Sequence, residues 1–240
     1  MNYFYAIVLS FFASQAFARG SLECIGAERL AKTTAVDLPG FGTPITITFW
    51  ERSADPGANR VMVEMANTAI TSQMGIGWRA AGPDLQATKA GGTTLVGMDA
   101  PILALGWHHI AYTWDGTTNR LCVDGSSCAT RNVTQDAGQF NTLFVCDDTF
   151  AATIIGKLAD LHIASATYTT DEIMESYRCA DFKHAKEVLH IPFDDGTSIA
   201  AVSQWNDLNA RKNHVTRAAG TPRIDWDGPP LSYCYSGAPQ

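Results

Sequence analysis

The sequence lacks the short motifs that mark several common catalytic sites. A Gly-x-Ser-x-Gly nucleophile elbow and a Gly-x-x-x-x-Gly-Lys phosphate loop are both missing. The six histidines include no His-x-x-x-His pair, and the six cysteines include no Cys-x-x-Cys pair. Because zinc sites and thioredoxin-like centres need such close, regular spacing, the sequence predicts neither.

Positively charged residues are few and form no cluster. The chain has 17 lysines and arginines against 24 acidic residues, which gives a net charge of −7. Affinity for phosphate backbones comes from basic side chains that displace counterions. We therefore expect no nucleic-acid partner.

Long apolar runs are missing beyond the N-terminus. The run from Phe4 to Ala13 is shorter than the about 20 residues of a membrane-spanning helix. Ala16-Phe17-Ala18 fits a small-x-small cleavage site, so residues 1–18 are predicted to be a signal peptide, although no Lys or Arg precedes the run. A buried first strand or a retained anchor is the alternative. The mature chain is expected to be secreted or extracellular (periplasmic in a bacterium), without a membrane span.

The even number of cysteines favours disulfide bonds in an oxidising compartment. We predict a Cys24–Cys234 bridge that ties the two ends of the chain together. A Cys122–Cys128 bridge requires a three-residue turn, since a two-residue turn at Asp124-Gly125 would set Cys122 opposite residue 127. Some free buried thiols are the alternative. The disulfide candidates are Cys24, Cys122, Cys128, Cys146, Cys179 and Cys234.

Much of the chain alternates apolar and polar residues with the period of two that half-buried β-strands have. Residues 45–52 and 61–65 are clear examples, and further short runs follow between Gly, Asp and Asn residues. This pattern predicts an all-β protein built as a sandwich or barrel. One short helix is predicted near residues 170–178, because Thr169 and Glu172 have the spacing of a capping box.

The stretch Gly106–Gly125 contains two adjacent histidines among alternating apolar residues. Consecutive strand residues point to opposite faces, so His108 and His109 cannot hold one metal ion together. Asp115-Gly116 and Asp124-Gly125 are typical of turns between strands. We interpret this stretch as scaffold.

Three segments of this stretch carry a resemblance to a known family: Trp107-His108-His109-Ile110-Ala111, Trp114-Asp115-Gly116 and Leu121-Cys122-Val123-Asp124-Gly125. They resemble the laminin-G-like jelly roll of the concanavalin A-like lectin/glucanase superfamily. Residues 156–177 resemble its closing strand and short helix, with Asp160 where the family usually has an acidic residue. The resemblance covers about residues 21–180 and implies a two-sheet antiparallel jelly-roll sandwich.

The C-terminal part resembles the segment that usually opens such a domain. Phe193-Asp194-Asp195-Gly196, Asn213-His214 and Gly220-Thr221-Pro222 stand in the family's order. We therefore predict a jelly roll over residues 19–184, followed by a segment, 185–240, that returns to complete the same sandwich. A separate second domain is the alternative, but so short a chain would have little core of its own.

The resemblance implies a non-catalytic binding module. Relatives hold glycans or protein partners through loops at one rim, often beside calcium, and the family's glycanases carry a Glu-x-Asp-x-x-Glu strand that this sequence lacks. The expected partner is a carbohydrate or a cell-surface molecule. A structural subunit (surface-layer, adhesin or particle-decorating) and a polysaccharide-active enzyme without the acidic motif are the alternatives.

Tryptophans and one acidic loop supply the candidate binding residues. An indole ring can cover the apolar face of a sugar while polar neighbours orient it, although a tryptophan in a sandwich more often belongs to the core. The candidates are Trp78, Arg79, Trp205 and Asn206. For calcium, Asp147 and Asp148 are the candidates, but they supply a minority of the six to eight oxygens that the ion needs. A solvated turn is the alternative there.

Overall fold

The computed structural model describes residues 21–25, 29–32, 38–40, 42–53, 60–67, 69, 71–78, 84–99, 106–135, 138–146, 155–178, 186–193, 204–205, 215–219 and 223–225. The predicted signal peptide, residues 1–18, lies outside them. Within these ranges, no helix is long and apolar enough to cross a membrane.

Two antiparallel sheets face each other, which confirms the predicted jelly-roll sandwich. The first sheet contains β1 (Ser21–Ile25), β3 (Ile45–Ser53), β8 (His108–Trp114), β9 (Asn119–Val123), β10 (Ser127–Arg131), β12 (Ile155–Ala164), β13 (Glu187–Ile191) and β16 (Arg223–Asp225). The second contains β2 (Arg29–Lys32), β4 (Arg60–Ala66), β5 (Gln73–Trp78), β6 (Asp84–Lys89), β7 (Thr93–Asp99), β11 (Thr142–Val145), β14 (Gln204–Trp205) and β15 (Val215–Ala219). The strand orders are β10-β9-β8-β3-β12-β1-β16, with β13 also on β12, and β14-β15-β2-β11-β4-β5-β6-β7.

The main core lies between the two sheets. Ile47 and Phe49 of β3 are fully buried there, against Met65 and Ile76 from the facing sheet. The alternation predicts a polar, solvated outer face for β3, but Thr46 and Thr48 on that face are buried as well. The outer face is covered because the helix α1 (Thr170–Arg178) packs on it.

The predicted capping box begins this helix. The Thr169 N–H donates to Glu172 Oε2 at 2.7 Å, and the Glu172 N–H donates to Thr169 Oγ1 at 3.2 Å. Two backbone donors that have no partner within the helix are thereby satisfied. Ile173 then packs beneath the helix against Ala111 and Ala164 of the first sheet.

We expect Thr169→Ala to lower the free energy of unfolding by about 1 kcal/mol, because the N-cap acceptor is lost. Urea denaturation measures the change. Glu175→Gln, at an exposed position of the same helix, is the control and should unfold like the wild type. Equal midpoints for Thr169→Ala and this control would contradict the capping role.

Two strands from distant parts of the chain share one side of β12. The β1 strand pairs with residues 155–158, and β13 pairs with residues 161–164. Both run antiparallel to β12, so they point in the same direction. Ile191 at the end of β13 lies opposite Leu161, and Leu22 near the start of β1 lies opposite Leu158. Together they form one interrupted strand. Elsewhere β16 pairs with β1, and β15 pairs with β2.

The division of the chain at residue 184 stays a prediction.

The disulfide bonds join different elements from those predicted. Cys24 on β1 is bonded to Cys146, which follows β11 in the facing sheet, with the Cα atoms 5.6 Å apart. The predicted Cys24–Cys234 bridge is therefore wrong: the pairing of β1 with β12 places Cys24 inside the sandwich, next to the end of β11. Cys234 and Cys179 lie outside the described residues.

The second bridge, Cys122–Cys128, joins two directly opposed residues of β9 and β10, with the Cα atoms 4.1 Å apart. Ser127 pairs with Val123, so three residues, 124–126, form the turn. This is the turn length that the bridge requires.

Candidate functional site

Several strands of both sheets end at one side of the sandwich, which we call the rim. Ser53 of β3 pairs with Gly156, and Gly156 also pairs with Cys24. The Cys24–Cys146 disulfide links this position to the facing sheet. There the Cys146 N–H donates a hydrogen bond to Met62 O near the start of β4. Since β4 pairs with the end of β5, the ends of β3, β5 and β11 all lie at the rim.

The two adjacent histidines point to opposite faces of β8, as predicted. His109 is buried against α1, beside the rings of Trp50 and Tyr177. Ser176 Oγ donates to Thr48 Oγ1, so His109 Nε2–H donates to Ser176 at 3.2 Å. Burial lowers the pKa of His109 to about 3, which keeps the ring neutral. His109 therefore holds the helix on the sheet.

His108 belongs to a polar group at the rim, the rim cluster, formed by Glu51, Ser53, His108 and Asp124. His108 Nδ1–H donates to Asp124 Oδ2 at 2.9 Å, and the His109 N–H donates to Asp124 Oδ1 at 2.9 Å. The side chains of His108 and Asp124 are 16% and 35% exposed. This pair is thus fixed in position but open to solvent.

The turn that carries Asp124 needs special backbone geometry. Asp124 has φ of 49° and Gly125 has φ of 73°, both in the left-handed region that Gly, Asn and Asp adopt most readily. A side chain at Gly125 would also come within 3.1 Å of Met174 and Tyr177 of α1. The Asp-Gly pair thereby lets the turn pass under the helix.

Glu51 lies opposite His108 across β3 and β8 and is fully buried. Ser53 Oγ donates to Glu51 Oε2 at 2.8 Å, whereas Oε1 has no hydrogen-bond partner. Burial raises the pKa of Glu51 to about 7, although Ser53 and the nearby His108 oppose the rise. The carboxyl group therefore holds its proton into the neutral range.

A second polar group, the outer-face cluster, lies on the outer face of β12 and β13. Asp160, His162, Glu187 and His190 form it. His190 Nε2 lies 2.9 Å from Asp160 Oδ1, and His162 Nε2 lies 3.3 Å from Asp160 Oδ2. His162 Nδ1–H donates to Glu187 Oε1 at 2.5 Å. These side chains are 1–7% exposed.

The outer-face cluster carries opposite charges. Burial opposes ionisation of Asp160, but His162 and His190 outweigh it and hold the Asp160 pKa well below its usual range. Burial also disfavours the His162 cation, but Asp160 and Glu187 outweigh it and raise the His162 pKa to about 10. A substrate cannot reach these groups because they are buried, so the cluster is unsuited to hydrolysis of a polysaccharide.

The sequence-predicted site residues fall in different places. Trp78 ends β5 at the rim, but it is 2% exposed and packs in the core, so its ring is not available to a sugar and that prediction is wrong. Trp205 lies on β14, and its side chain is not described. Four candidates lie outside the described residues: Arg79, Asn206, Asp147 and Asp148.

The sequence predicts neither the rim cluster nor the outer-face cluster. His162 and His190 face each other only because of the register between β12 and β13, and periodicity does not fix the register of strands that are distant in sequence. The one available signal was Asp160, an acidic residue in a strand of apolar neighbours. Its position matches the acidic residue usual in the family, which does not indicate the histidines that it contacts.

A family model described as the concanavalin A-like lectin/glucanases superfamily matches residues 26–174, more than half of the chain. The chain belongs to this superfamily. A search of curated proteins found no significant match. The closing strand and helix that carried the resemblance are β12 and α1, and α1 ends just beyond the matched region.

Two solved structures support the fold of this superfamily member. A protein from Bacteroides ovatus ATCC 8483, to which its name ascribes carbohydrate binding, is similar with a TM-score of 0.64 and 16% identity, over 87% of this chain and 60% of that one. The chain thus spans about three fifths of that protein. A heptameric SAP-like pentraxin from Limulus polyphemus is similar with a TM-score of 0.54 and 13% identity, over 67% of this chain and 82% of that one. At these identities the likeness concerns the fold.

The described rim residues do not by themselves fit calcium. The ion takes six to eight oxygen ligands, and the Asp124 carboxylate supplies at most two of them. Glu51 is buried and retains its proton near neutral pH. A calcium site at the rim would depend on Asp147 and Asp148, which lie outside the described residues.

Proposed function

We propose that the chain is a secreted, non-catalytic module that binds glycans or other surface partners at the rim. The observation that carries the proposal is the solvent-open His108–Asp124 pair. Glycan sites need a few polar groups in fixed positions that orient the sugar hydroxyls. Asp124 is held by two hydrogen bonds and is 35% exposed.

The carboxylate of Asp124 retains acceptor capacity for a ligand. An ionised carboxylate has about four lone-pair positions, and hydrogen bonds from His108 and His109 use two of them. These donors hold the Asp124 pKa below its usual value although burial opposes this. A sugar hydroxyl can therefore donate to a charged, oriented acceptor, which is the stronger kind of hydrogen bond.

Further contacts are proposed from residues that follow strands ending at the rim. Arg79 comes directly after β5, and Asp147 and Asp148 come directly after Cys146. We include them as contacts to the ligand, with the two aspartates as partial ligands for calcium. Trp205 and Asn206 remain proposed contacts on sequence grounds alone. Secretion rests on the signal peptide predicted for residues 1–18.

A glycan array with the purified chain, with and without a chelator, tests the proposal. Asp124→Asn should weaken glycan binding about tenfold, because a charge-assisted hydrogen bond contributes roughly 1.5–3 kcal/mol. Asparagine also tolerates the left-handed backbone at this position. The control is Asp115→Asn in the other Asp-Gly turn, at the opposite end of β8, and it should bind like the wild type.

Each outcome separates the candidate functions. Binding that is lost with chelator and restored by calcium, but not by zinc, indicates calcium at Asp147 and Asp148. Binding that persists indicates recognition by the rim residues alone. Equal loss in both variants would place the glycan away from Asp124. Absence of glycan binding combined with self-assembly on size exclusion would favour a structural subunit, and release of sugars would indicate an enzyme.

A further inference from the structure

We propose that Asp160, His162 and His190 form a structural zinc site on the outer face of the first sheet, independent of the ligand at the rim. One carboxylate oxygen and one nitrogen from each imidazole lie within 4.8 Å of one another. All three side chains are buried. Two adjacent strands, β12 and β13, supply them.

Local backbone geometry brings the three ligands together. Asp160 has φ of 52°, and the pairing of β12 with β3 shifts register between Ala159 and His162. Such a bulge shifts the alternation of the strand, so His162, which pairs with Thr48, lies on the outer face although Leu158 faces the core. Asp160 contacts His162 on that face. His190 pairs directly with His162 across the two strands, which places it on that face as well.

The ligand atoms lie near the spacing of a tetrahedral ion and reach it by small side-chain movements. Zinc bonds to nitrogen and oxygen of 2.0–2.2 Å place neighbouring ligand atoms about 3.3 Å apart. His162 Nε2 lies 3.3 Å from Asp160 Oδ2 and His190 Nε2 lies 2.9 Å from Asp160 Oδ1, whereas the three atoms that would share one ion lie within 4.8 Å of one another. The imidazole rings are stacked with centroids 3.8 Å apart, so binding requires them to tilt toward a common point.

Glu187 supplies the outer contact that zinc-bound histidines usually have. A ligating imidazole donates its other N–H to a carboxylate or carbonyl, which fixes the ring and its tautomer. His162 Nδ1–H donates to Glu187 Oε1 at 2.5 Å. When zinc displaces the proton of His162 Nε2, the lone pair of that nitrogen can point toward the ion, beside Asp160.

The chemistry of the ligands selects the metal. Calcium and magnesium take oxygen ligands, whereas a set of two imidazoles and one carboxylate suits zinc. The same set holds iron(II) in sites that keep open positions, and the burial of all three side chains favours zinc here. Two carboxylates, Asp160 and Glu187, balance the charge of a divalent ion when both histidines are neutral. Three protein ligands leave one position for water, and burial of the site makes its role structural.

Zinc at this position would fasten β13 to β12. Asp160 and His162 belong to β12, whereas His190 lies 30 residues after Asp160. Ligand spacing in the sequence does not reveal such a site, because its members meet only through strand pairing. The ion would stabilise the attachment of the C-terminal strand to the sheet.

Metal titration of the full chain tests the proposal. Protein stripped with a chelator and dialysed is titrated with zinc chloride by calorimetry, and its thermal unfolding is followed in parallel. We expect one zinc per chain and a higher Tm with zinc. His190→Ala should weaken binding more than about 100-fold, since loss of an outer contact alone costs 10–100-fold. Glu187→Gln should fall in that lower range.

Glu175→Gln, which neutralises an exposed carboxylate outside both clusters, is the control and should bind zinc like the wild type. If His190→Ala does not fold, His190→Gln keeps a donor to Asp160 and decides the question. Cobalt gives a second readout, because tetrahedral coordination produces visible absorption. Failure of the folded chain to bind zinc, or equal affinities in His190→Gln and Glu175→Gln, would overturn the proposal.

Discussion

Replacing Cys24 and Cys146 together by alanine should lower the free energy of unfolding by about 5 kcal/mol. The bridge closes a loop with a sequence separation of 122 residues, and the chain entropy that such a loop removes from the unfolded state corresponds to roughly 5 kcal/mol at 25 °C. A loss of this size is comparable to the total stability of many domains. Guanidinium denaturation under non-reducing conditions measures it.

The other disulfide is the matched control for this experiment. Cys122 and Cys128 are separated by six residues, so the same entropy relation gives only about 2 kcal/mol for the double alanine variant. The Cys122–Cys128 bridge joins neighbouring strands and Cys128 is exposed, whereas the buried Cys24–Cys146 bridge joins the two sheets. Both the shorter loop and the exposure predict the smaller loss for Cys122–Cys128. A smaller loss for the Cys24–Cys146 pair than for the Cys122–Cys128 pair would contradict the prediction.

Glu51→Gln should remove a pH dependence of stability of roughly 3 kcal/mol. The Glu51 pKa is raised from 4.5 to about 7 by burial. Between these values the folded state holds a proton that the unfolded state has lost, so stability falls as pH rises. A shift of this size corresponds to roughly 3 kcal/mol. Above the folded pKa the wild type carries a buried carboxylate with one unpartnered oxygen, whereas glutamine remains neutral and can still accept from Ser53.

Urea midpoints measured between about pH 4 and 9 test this expectation. The variant should be more stable than the wild type at pH 8 and similar to it at pH 4.5. Among the described residues, His108 and Asp124 are the titratable groups that act on Glu51, and both are retained in the variant. Glu23→Gln on β1 is the control, and its profile should follow the wild type. If the urea midpoints of Glu51→Gln and the wild type change in parallel with pH, the Glu51 carboxyl group does not cause the pH dependence of stability.

Local features of the sequence predicted the fold well, because they depend on neighbouring residues only. The inward positions of Ile47 and Phe49, the capping box at Thr169, and the opposed faces of His108 and His109 are all set by the period of a strand or by the first turn of a helix. Each is found in the structure.

Features that depend on register or on coverage by another element could not be predicted in this way. Thr48 looks like a solvated position, but α1 covers it. Cys24 pairs with Cys146 because β1 lies over the end of β11, and the alternation of residues carries no information about that placement. The outer-face cluster depends on a bulge at Asp160, a single extra residue that the apolar pattern of the strand does not reveal.

The shared side of β12 has a consequence for synthesis on the ribosome. Residues 161–164 receive their partner only when residues 187–191 have emerged, whereas β1 and β3 are made long before β12. Until then, residues 161–164 of β12 form an open sheet edge with unpaired backbone groups. Nascent chains can associate at such an edge. The first sheet is therefore completed late in synthesis. A chain truncated before residue 187 would leave this edge of β12 exposed.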